Sequence, residues 1–277
     1  KLPSIRKTTF LNDIKISLGR TGVATPYAEL EEVDLDGVKI KSASLHNIEY
    51  IDLKDIRVGD EVVVERAGDV IPQVIEVSKS NKRGPDSKKF KMPENCPACD
   101  SKLFKKPNDP FTKCLDSECD DQIKRSLEHF SSKNCVEIEG LGEGIINILF
   151  ENELVNSIAD LYSLEYEELI KLEGFQNKSV NNLLDSINKS RNVAPEKLLH
   201  GLGIPHIGSE ISELLLLNFK NINNIFDSSE ENILEIDGIG PKIYDSLKDW
   251  IQIEKNIILL KNLEKIGFNF TTQNTLI

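Results

Sequence analysis

The stretch from Cys96 to Cys119, CPACDSKLFKKPNDPFTKCLDSEC, holds four of the five cysteines in this chain of 277 residues and separates two parts with different sequence patterns. Its cysteines form two close pairs, Cys96-x2-Cys99 and Cys114-x4-Cys119, with fourteen residues between the pairs. Zn2+ binds four such thiolates tetrahedrally, because each short turn directs two sulfur atoms toward one ion. The spacing therefore predicts one Zn2+ per chain, held by Cys96, Cys99, Cys114 and Cys119. Two disulfides and a thioredoxin-like redox pair are the alternatives.

A zinc ion with four protein ligands has no open position for water or substrate, so we expect a structural role. In a segment this short, the ion replaces a hydrophobic core. The fifth cysteine, Cys135, stands alone in a helical context, where the role of a small buried side chain is favoured over that of a reactive thiol.

The composition is typical of a globular protein, with 39% hydrophobic and 29% charged residues. The sequence has no apolar run of about 18 residues and no signal-peptide pattern, so we expect a cytoplasmic protein without a membrane partner. Thiols stay reduced in that compartment, which disfavours disulfides. The net charge of −12 argues against general attraction to nucleic acid, but residues 79–125 contain twelve Lys and Arg against eight Asp and Glu. A basic region therefore surrounds the cysteines.

Residues 8–78 carry β patterns. The segment Gly37–Asn47, GVKIKSASLHN, alternates apolar and polar side chains, and Asp60–Val77, DEVVVERAGDVIPQVIEV, places two β-branched runs around a glycine turn. Short strands and glycine turns over about 70 residues are typical of a small closed barrel, although a sandwich fits the same pattern. Residues 79–95 are polar and basic and contain Gly84-Pro85, so they are predicted to form a linker before a zinc module at residues 96–120.

From residue 121 onward, helical spacing replaces the strand pattern, and we expect an all-α domain over residues 121–265 followed by a tail at 266–277. Four segments of this domain align without gaps: GLGEGIINIL from Gly140, GFQNKSVNNL from Gly174, HIGSEISELL from His206 and GIGPKIYDSL from Gly238. Their starts lie 34, 32 and 32 residues apart. Near-constant spacing predicts four helix-hairpin-helix repeats, with hairpins near residues 140, 174, 206 and 238.

A Gly-x-Gly hairpin before a helix lets a phosphate approach the backbone closely and exposes N–H groups where the helix dipole favours an anion. Such contacts hold nucleic acid without reading its sequence. Two copies are incomplete, because Gln176 replaces the second glycine of one and His206 the first glycine of another. We expect His206 to pack or cap rather than to bind a ligand. For Lys178 and Lys242, the alternative to a DNA contact is a solvated position on the surface. The candidate DNA-binding residues of the hairpins are Gly140, Gly142, Lys178, Gly208, Gly238, Gly240 and Lys242.

Three motifs lie in the β part: GRTGVATPYAELEEV (Gly19–Val33), SASLHN (Ser42–Asn47) and RVGDEVVVERAGDVIPQV (Arg57–Val74). Followed by a four-cysteine module and four helix-hairpin-helix repeats, they closely resemble the C-terminal part of bacterial-type NAD+-dependent DNA ligases. The resemblance covers nearly the whole chain in the family's domain order. It implies a multidomain fold with an OB-fold β-barrel at residues 8–78, a small four-cysteine zinc finger and an all-α helix-hairpin-helix domain.

The resemblance also implies that the barrel closes over the minor groove at a nick. For Gly68 and Asp69, the alternative to a DNA contact is a structural role in forming the turn. Residues 1–7 look like the end of the family's nucleotidyltransferase domain, and Lys1 matches a lysine that helps to bind the AMP phosphate. Leu2 departs from the phenylalanine that is usual there. The candidates for DNA contacts, or for shaping the barrel near the nick, are Arg20, Thr21, Gly22, Arg66, Gly68 and Asp69.

In that family, NAD+ adenylates an enzyme lysine, AMP passes to the 5′-phosphate at a nick, and the 3′-hydroxyl displaces AMP, with Mg2+ as the metal cofactor. The nucleophilic lysine lies in a Lys-x-Asp-Gly motif, which does not occur in this sequence. We therefore expect a fragment or a naturally truncated form of a DNA replication and repair enzyme, a monomer that binds nicked duplex DNA without completing ligation. The alternatives are a non-catalytic DNA-binding protein and an interaction scaffold whose hairpins bind protein.

Overall fold

The computed structural model describes residues 5–66, 71–79, 81–84, 87–107 and 109–272, in two units, Lys1–Gln122 and Ile123–Ile277. Five strands of the first unit follow the order β1-β4-β5-β3-β2, and β2 pairs with β1 to close a barrel. Neighbouring strands are antiparallel except for β3 and β5, which are parallel. This closed five-stranded topology confirms the predicted OB-fold. The strands are Ile5–Leu18 (β1), Val23–Leu35 (β2), Val38–Ser44 (β3), Glu61–Arg66 (β4) and Gln73–Val77 (β5).

Alternation along the strands places one row of side chains inside the barrel. On β4, for example, Val62 and Val64 are fully buried in the barrel core. A short helix, Ile48–Lys54 (α1), connects β3 to β4 and covers part of this core. It begins after Asn47, whose side-chain oxygen accepts a hydrogen bond from Tyr50 N at 2.8 Å. That bond satisfies one of the N–H groups that a helix start otherwise leaves unpaired.

A buried carboxylate fastens part of the predicted linker to the barrel. Asp60, just before β4, is 1% exposed. It accepts hydrogen bonds from Arg57 N at 2.8 Å, Asn81 Nδ2 at 2.7 Å and Arg83 Nε at 2.8 Å. A buried charge needs such donors to offset its lost hydration. The segment with Asn81 and Arg83 is therefore held against the barrel by side-chain hydrogen bonds.

The cysteine segment continues the sheet of the barrel. Strands Leu103–Lys105 (β6) and Thr112–Cys114 (β7) form an antiparallel hairpin, and β7 pairs with the start of β2, where Val23 lies opposite Lys113. Barrel and cysteine module thus share one sheet and one small core, which places the cysteines relative to β2. The buried side chains of this small core are Leu18, Ala24, Cys96, Leu103, Cys114 and Cys119.

The rest of the chain is helical, which confirms the predicted all-α region. A 3-10 helix at Ala159–Ser163 follows the α-helix Glu143–Glu151. Aliphatic and aromatic side chains from these helices form one continuous core, in which Phe130 is fully buried. None of the helices described is long and apolar enough to cross a membrane. The α-helices are Asp120–Phe130 (α2), Glu143–Glu151 (α3), Tyr166–Leu169 (α4), Asn177–Ser190 (α5), Pro195–Gly201 (α6), Ser209–Phe219 (α7), Ile222–Asp227 (α8), Glu230–Leu234 (α9), Pro241–Gln252 (α10) and Glu254–Ile266 (α11).

Candidate metal centre and nucleic-acid interface

The four cysteines of the module converge on one centre. The Sγ atoms of Cys96 and Cys119 lie 3.9 Å apart and those of Cys99 and Cys114 lie 3.5 Å apart, with all four atoms within 4.8 Å of one another. Four sulfur atoms at about 2.3 Å from a tetrahedral Zn2+ would stand about 3.8 Å apart, whereas a disulfide bond requires about 2.0 Å. All four side chains are free thiols. Their arrangement therefore fits a zinc ion and contains no disulfide.

Two turns hold the thiols in this arrangement. In the first, Asp100 N donates a hydrogen bond to Cys96 O at 2.9 Å, and Cys96 N donates to Ser101 O at 2.8 Å. In the second, Cys119 N donates to Asp116 O at 3.3 Å. The two turns are joined, because Ser101 Oγ donates to the carboxylate of Asp116 at 2.7 Å. The polypeptide around the sulfur atoms is thus ordered by its own hydrogen bonds.

The thiols differ in how readily they ionise. Burial raises the pKa of Cys114 to about 11 and that of Cys119 to about 12. Burial also opposes ionisation of Cys99, but hydrogen bonds from Ser101, together with those from the neighbouring thiols Cys114 and Cys96, outweigh it and lower the pKa of that thiol. Zinc is bound by thiolates rather than by thiols. A cation at the centre would therefore compensate for the cost of burying negative charge at Cys114 and Cys119.

Gly22, one of the predicted DNA-binding residues, lies buried against the cysteine module. Its backbone is left-handed, with φ +75°, and a Cβ added there would stand 2.1 Å from the carbonyl oxygen of Cys114. The two residues are also joined by a hydrogen bond, which Cys114 N donates to Gly22 O at 2.8 Å. Glycine alone combines this backbone conformation with so close an approach. The contacts of Gly22 are therefore with a thiol-bearing strand.

The four hairpins of the helical unit share one backbone conformation at their first residue. Gly140, Gly174, His206 and Gly238 have φ angles of 87°, 84°, 65° and 87°. This left-handed region favours glycine, although other residues adopt it at an energetic cost. His206 does so, and the third hairpin thereby keeps the turn without its glycine. The alignment found in the sequence thus corresponds to a repeated turn.

The next two positions of each hairpin repeat as well. The second position is an apolar residue packed against the helical core, at Leu141, Phe175, Ile207 and Ile239. The third position is the extended N-cap residue of the following helix, at Gly142, Gln176, Gly208 and Gly240. A glycine N-cap supplies no side-chain acceptor for the first N–H groups of its helix. Three of the four helix starts therefore offer backbone donors to an external anion.

The first two hairpins open on the same cleft. A cavity of about 540 Å³ is lined by Gly140 and Gly174, the left-handed residues of these hairpins, together with Phe175, Ser179 and Lys189. At its edge, Ser179 Oγ accepts a hydrogen bond from Gln176 N at 2.9 Å, so this helix start is capped by a side chain. The second hairpin therefore differs from the other three in the donors that it can offer.

Most of the remaining candidates occupy the surface. Arg20 and Thr21 are exposed in the turn between β1 and β2, and Arg66 is partly exposed at the end of β4. Lys178 and Lys242 are exposed in the first turns of α5 and α10, directly after two of the hairpins. Contact of these side chains with DNA stays a prediction. Lys1, Gly68 and Asp69 lie outside the described residues.

One group of potential metal ligands was not predicted from the sequence. Cys135 is buried, as predicted, but it lies beside His129 and His200, and the ligand atoms of the three residues are within 4.8 Å of one another. His129 precedes Cys135 by only six residues, which was a usable local signal. His200 is distant in sequence and reaches Cys135 only through tertiary packing.

Comparison with known proteins agrees with these features. Residues 8–86 match the NAD-dependent DNA ligase OB-fold domain, and residues 197–260 match the helix-hairpin-helix motif. The chain is 42% identical over 269 residues to proteins named DNA ligase from Bacillus licheniformis and Bacillus subtilis, and 43% identical over 267 residues to one from Oceanobacillus iheyensis.

These alignments cover 96–97% of this chain and 40% of each relative. The chain thus spans about two fifths of the length of the curated relatives that it matches. The OB-fold match falls on the five-stranded barrel, and the motif match falls on the last two hairpins. Over nearly its whole length, this chain therefore corresponds to the part of bacterial NAD-dependent DNA ligases that contains the OB-fold and helix-hairpin-helix regions.

Proposed function

We propose that this chain holds nicked duplex DNA for the sealing reaction of an NAD+-dependent DNA ligase. The observation that carries the proposal is the hairpin unit that occurs four times: a left-handed residue, an apolar residue packed against the core, an extended N-cap and a helix. In the three units with a glycine N-cap, no side chain caps the N–H groups of the helix start, where the helix dipole favours a phosphate. The family matches support the proposal, because one is a DNA ligase domain and the other is this motif.

Phosphate contacts of this kind are independent of base sequence, which suits an enzyme that must act at any nick. The net charge of −12 means that binding depends on where donors are placed rather than on overall attraction. In the proposal, Lys178 and Lys242 add positive charge beside two hairpins. Arg20, Thr21 and Arg66 provide the corresponding contacts from the barrel, near the nick.

We also propose that Cys96, Cys99, Cys114 and Cys119 hold one Zn2+ per chain. With four thiolates the ion has no open coordination position, so it supplies structure and no catalytic chemistry. The strand that carries Cys114 pairs with β2, and the metal-held turns would fix that strand against the barrel. The role of the cage is therefore to keep the β1–β2 turn, with Arg20 and Thr21, in a defined position.

The chemical steps belong, in this proposal, to the longer protein. NAD+ and Mg2+ are its cofactors, enzyme-AMP and DNA-AMP are its intermediates, and Lys1 contacts the AMP phosphate. Because this sequence contains no Lys-x-Asp-Gly motif, its own residues position the 3′-hydroxyl and 5′-phosphate of the nick, an alignment that lowers the barrier of a displacement reaction. We expect the 277-residue chain to act as a monomer, in the cytoplasm where the DNA substrate lies, and to bind DNA without ligating it.

Alanine substitutions at the hairpin N-caps test the DNA contacts. Gly142 and Gly240 have φ angles of −95° and −112°, and a Cβ added at either would meet nothing within 4 Å. Gly142→Ala and Gly240→Ala should therefore leave the fold intact and place a methyl group where a phosphate must approach. We expect binding to a fluorescent nicked duplex to weaken about tenfold for each, since a charge-assisted hydrogen bond is worth roughly 1.5 kcal/mol. Gly84→Ala, outside the hairpins and equally open, is the control and should bind normally.

Two outcomes would contradict this proposal. One is equal affinity of the N-cap variants and the control, and the other is binding that does not weaken as salt increases, since phosphate contacts release counterions. Either result favours a scaffold that binds protein. Nick sealing by the longest natural form of the protein, with NAD+ compared with ATP, tests the enzymatic part separately. Failure with both cofactors would leave a DNA-binding protein without ligase chemistry.

A further inference from the structure

A second group of metal-binding side chains lies in the helical unit and shares no residue with the four-cysteine cage. Cys135 Sγ is 3.6 Å from His129 Nε2 and 3.5 Å from His200 Nδ1. Cys135 is fully buried, and both histidines are partly exposed. The sulfur atom thus lies at the inner end of a site whose outer side is formed by two imidazole rings that solvent can reach.

The distances in this group fit a tetrahedral metal ion. Zinc lies about 2.3 Å from a cysteine sulfur and about 2.0–2.1 Å from a histidine nitrogen. With a tetrahedral angle at the metal, sulfur and nitrogen are then about 3.5–3.6 Å apart. Both measured sulfur–nitrogen distances agree with this value. A thiol that shares its proton with one imidazole is the alternative explanation for the same spacing.

The surrounding fold holds the two rings in place. His129 Nε2 lies 2.9 Å from the carbonyl oxygen of His200, and His200 Nδ1 lies 3.3 Å from that of Asn134. The rings are edge to face, with centroids 5.1 Å apart. The nitrogen of each histidine that faces the thiol is thus also the one beside a carbonyl oxygen. A metal bound to that nitrogen would displace its hydrogen bond, and the ring proton would then lie on the other ring nitrogen.

A glycine brings the distant histidine to the cysteine. Gly201, the last residue of α6, would place a Cβ 3.2 Å from the side chains of Phe130 and Val136 and 3.6 Å from Cys135 Cβ. Only a residue without a Cβ lets α6 pack this closely without displacing those side chains. The neighbouring His200 thereby reaches Cys135.

We propose that His129, Cys135 and His200 form a second metal site, which binds one Zn2+. Thiolate and imidazole are the ligands that this ion prefers, and binding releases the proton of the Cys135 thiol to solvent. Three protein ligands leave the fourth position to water at the exposed side of the site. Such a site exchanges its metal more readily than a closed cage of four thiolates, in which no position is open.

Metal content of the folded chain, measured after equilibration in a zinc buffer, tests this site. We expect one zinc fewer per chain in Cys135→Ala than in the unaltered protein. Because Cys135 is fully buried and its replacement can impair folding, His200→Asn gives a second comparison at a partly exposed position. Asparagine keeps a hydrogen-bonding atom near the place of Nδ1 but is a poor zinc ligand. His206→Asn is the matched control, since the same substitution lies in the same unit, on a left-handed backbone that asparagine tolerates.

The comparison is between variants, so it does not depend on whether the four-cysteine cage is filled or on whether the chain binds DNA. Loss of one zinc in folded His200→Asn, with none lost in His206→Asn, supports the site. Equal zinc contents in the unaltered chain, His200→Asn and His206→Asn would mean that Cys135 and the histidines form only a hydrogen-bonded group. A thermal shift gives a second readout: further zinc should raise the Tm of the unaltered chain and of His206→Asn more than that of His200→Asn.

Discussion

Replacement of Gly22 by alanine should loosen the cysteine module, because this residue touches the strand that carries Cys114. Two costs follow from the structure. An L-residue at φ +75° costs about 1–2 kcal/mol. The new Cβ would also lie 2.1 Å from Cys114 O, so the two strands must separate, and such overpacking costs about 1–3 kcal/mol. Alanine also lowers the conformational entropy of the unfolded chain, which offsets about 0.4–1 kcal/mol of these costs.

The net expectation for Gly22→Ala is a loss of roughly 2–4 kcal/mol in the free energy of unfolding of the barrel with its module. Gly37→Ala separates the two costs. Gly37, in the turn between β2 and β3, has nearly the same backbone, φ +78°, but a Cβ added there would meet nothing within 4 Å. This control should lose only about 1 kcal/mol, the cost of the left-handed backbone alone.

Urea unfolding followed by circular dichroism measures the difference between Gly22→Ala and Gly37→Ala. Transfer of zinc to a coloured chelator measures the metal site directly, and it should be faster in Gly22→Ala, because the carbonyl of Cys114 is displaced. If the two variants unfold at the same urea concentration and release zinc at the same rate, the close approach of Gly22 to Cys114 carries no energetic weight and the reasoning fails.

Two further predictions concern buried charge and surface charge. Burial alone raises the pKa of Asp60, but its hydrogen bonds outweigh burial and hold that pKa below the ordinary carboxyl value. The ionised Asp60 therefore contributes fully to the free energy of unfolding at any pH above the pKa that its carboxyl has in the unfolded chain. This contribution disappears as pH falls through the lower pKa of the folded state. Asp60→Asn should lower the free energy of unfolding, measured with urea at neutral pH, by about 1.5–3 kcal/mol. The exposed Asp36→Asn is the control and should change it little. Equal effects of the two substitutions would contradict the role of the buried charge. Lys178→Gln and Lys242→Gln should each reduce the slope of log affinity for nicked DNA against log salt by about one, whereas Lys261→Gln on α11 should not. Unchanged slopes in both would assign these lysines to solvated surface.

Features encoded over short distances were predictable from the sequence. The Cys-x-x-Cys and Cys-x4-Cys turns bring thiols together because a tight turn joins them, and the second turn forms as expected near Cys119. The hairpins were located because each one needs a left-handed residue, an apolar residue and a helix start in that order. Even His206, which breaks the glycine pattern, was aligned at the position where the backbone is left-handed.

Contacts between residues distant in sequence were not predictable. Gly22 was a candidate for a DNA contact or for shaping the barrel, and only the structure places it against Cys114, because β2 and β7 pair across a long separation. Arg83 was placed in a linker by its polar neighbours, but it reaches the buried Asp60. In both cases the sequence pattern describes the local chain, whereas the partner is chosen by the packing of another segment.

Spacing and periodicity alone thus predicted the β-strands, the four-cysteine cluster and the fourfold hairpin, since each is encoded by neighbouring residues that form a turn or one face of an element. Only the tertiary structure decided that Gly22 supports a cysteine strand and that His129, Cys135 and His200 meet. The physical reason is that close approach depends on which side chains are absent, as at Gly22 and Gly201, where a missing Cβ lets two segments touch.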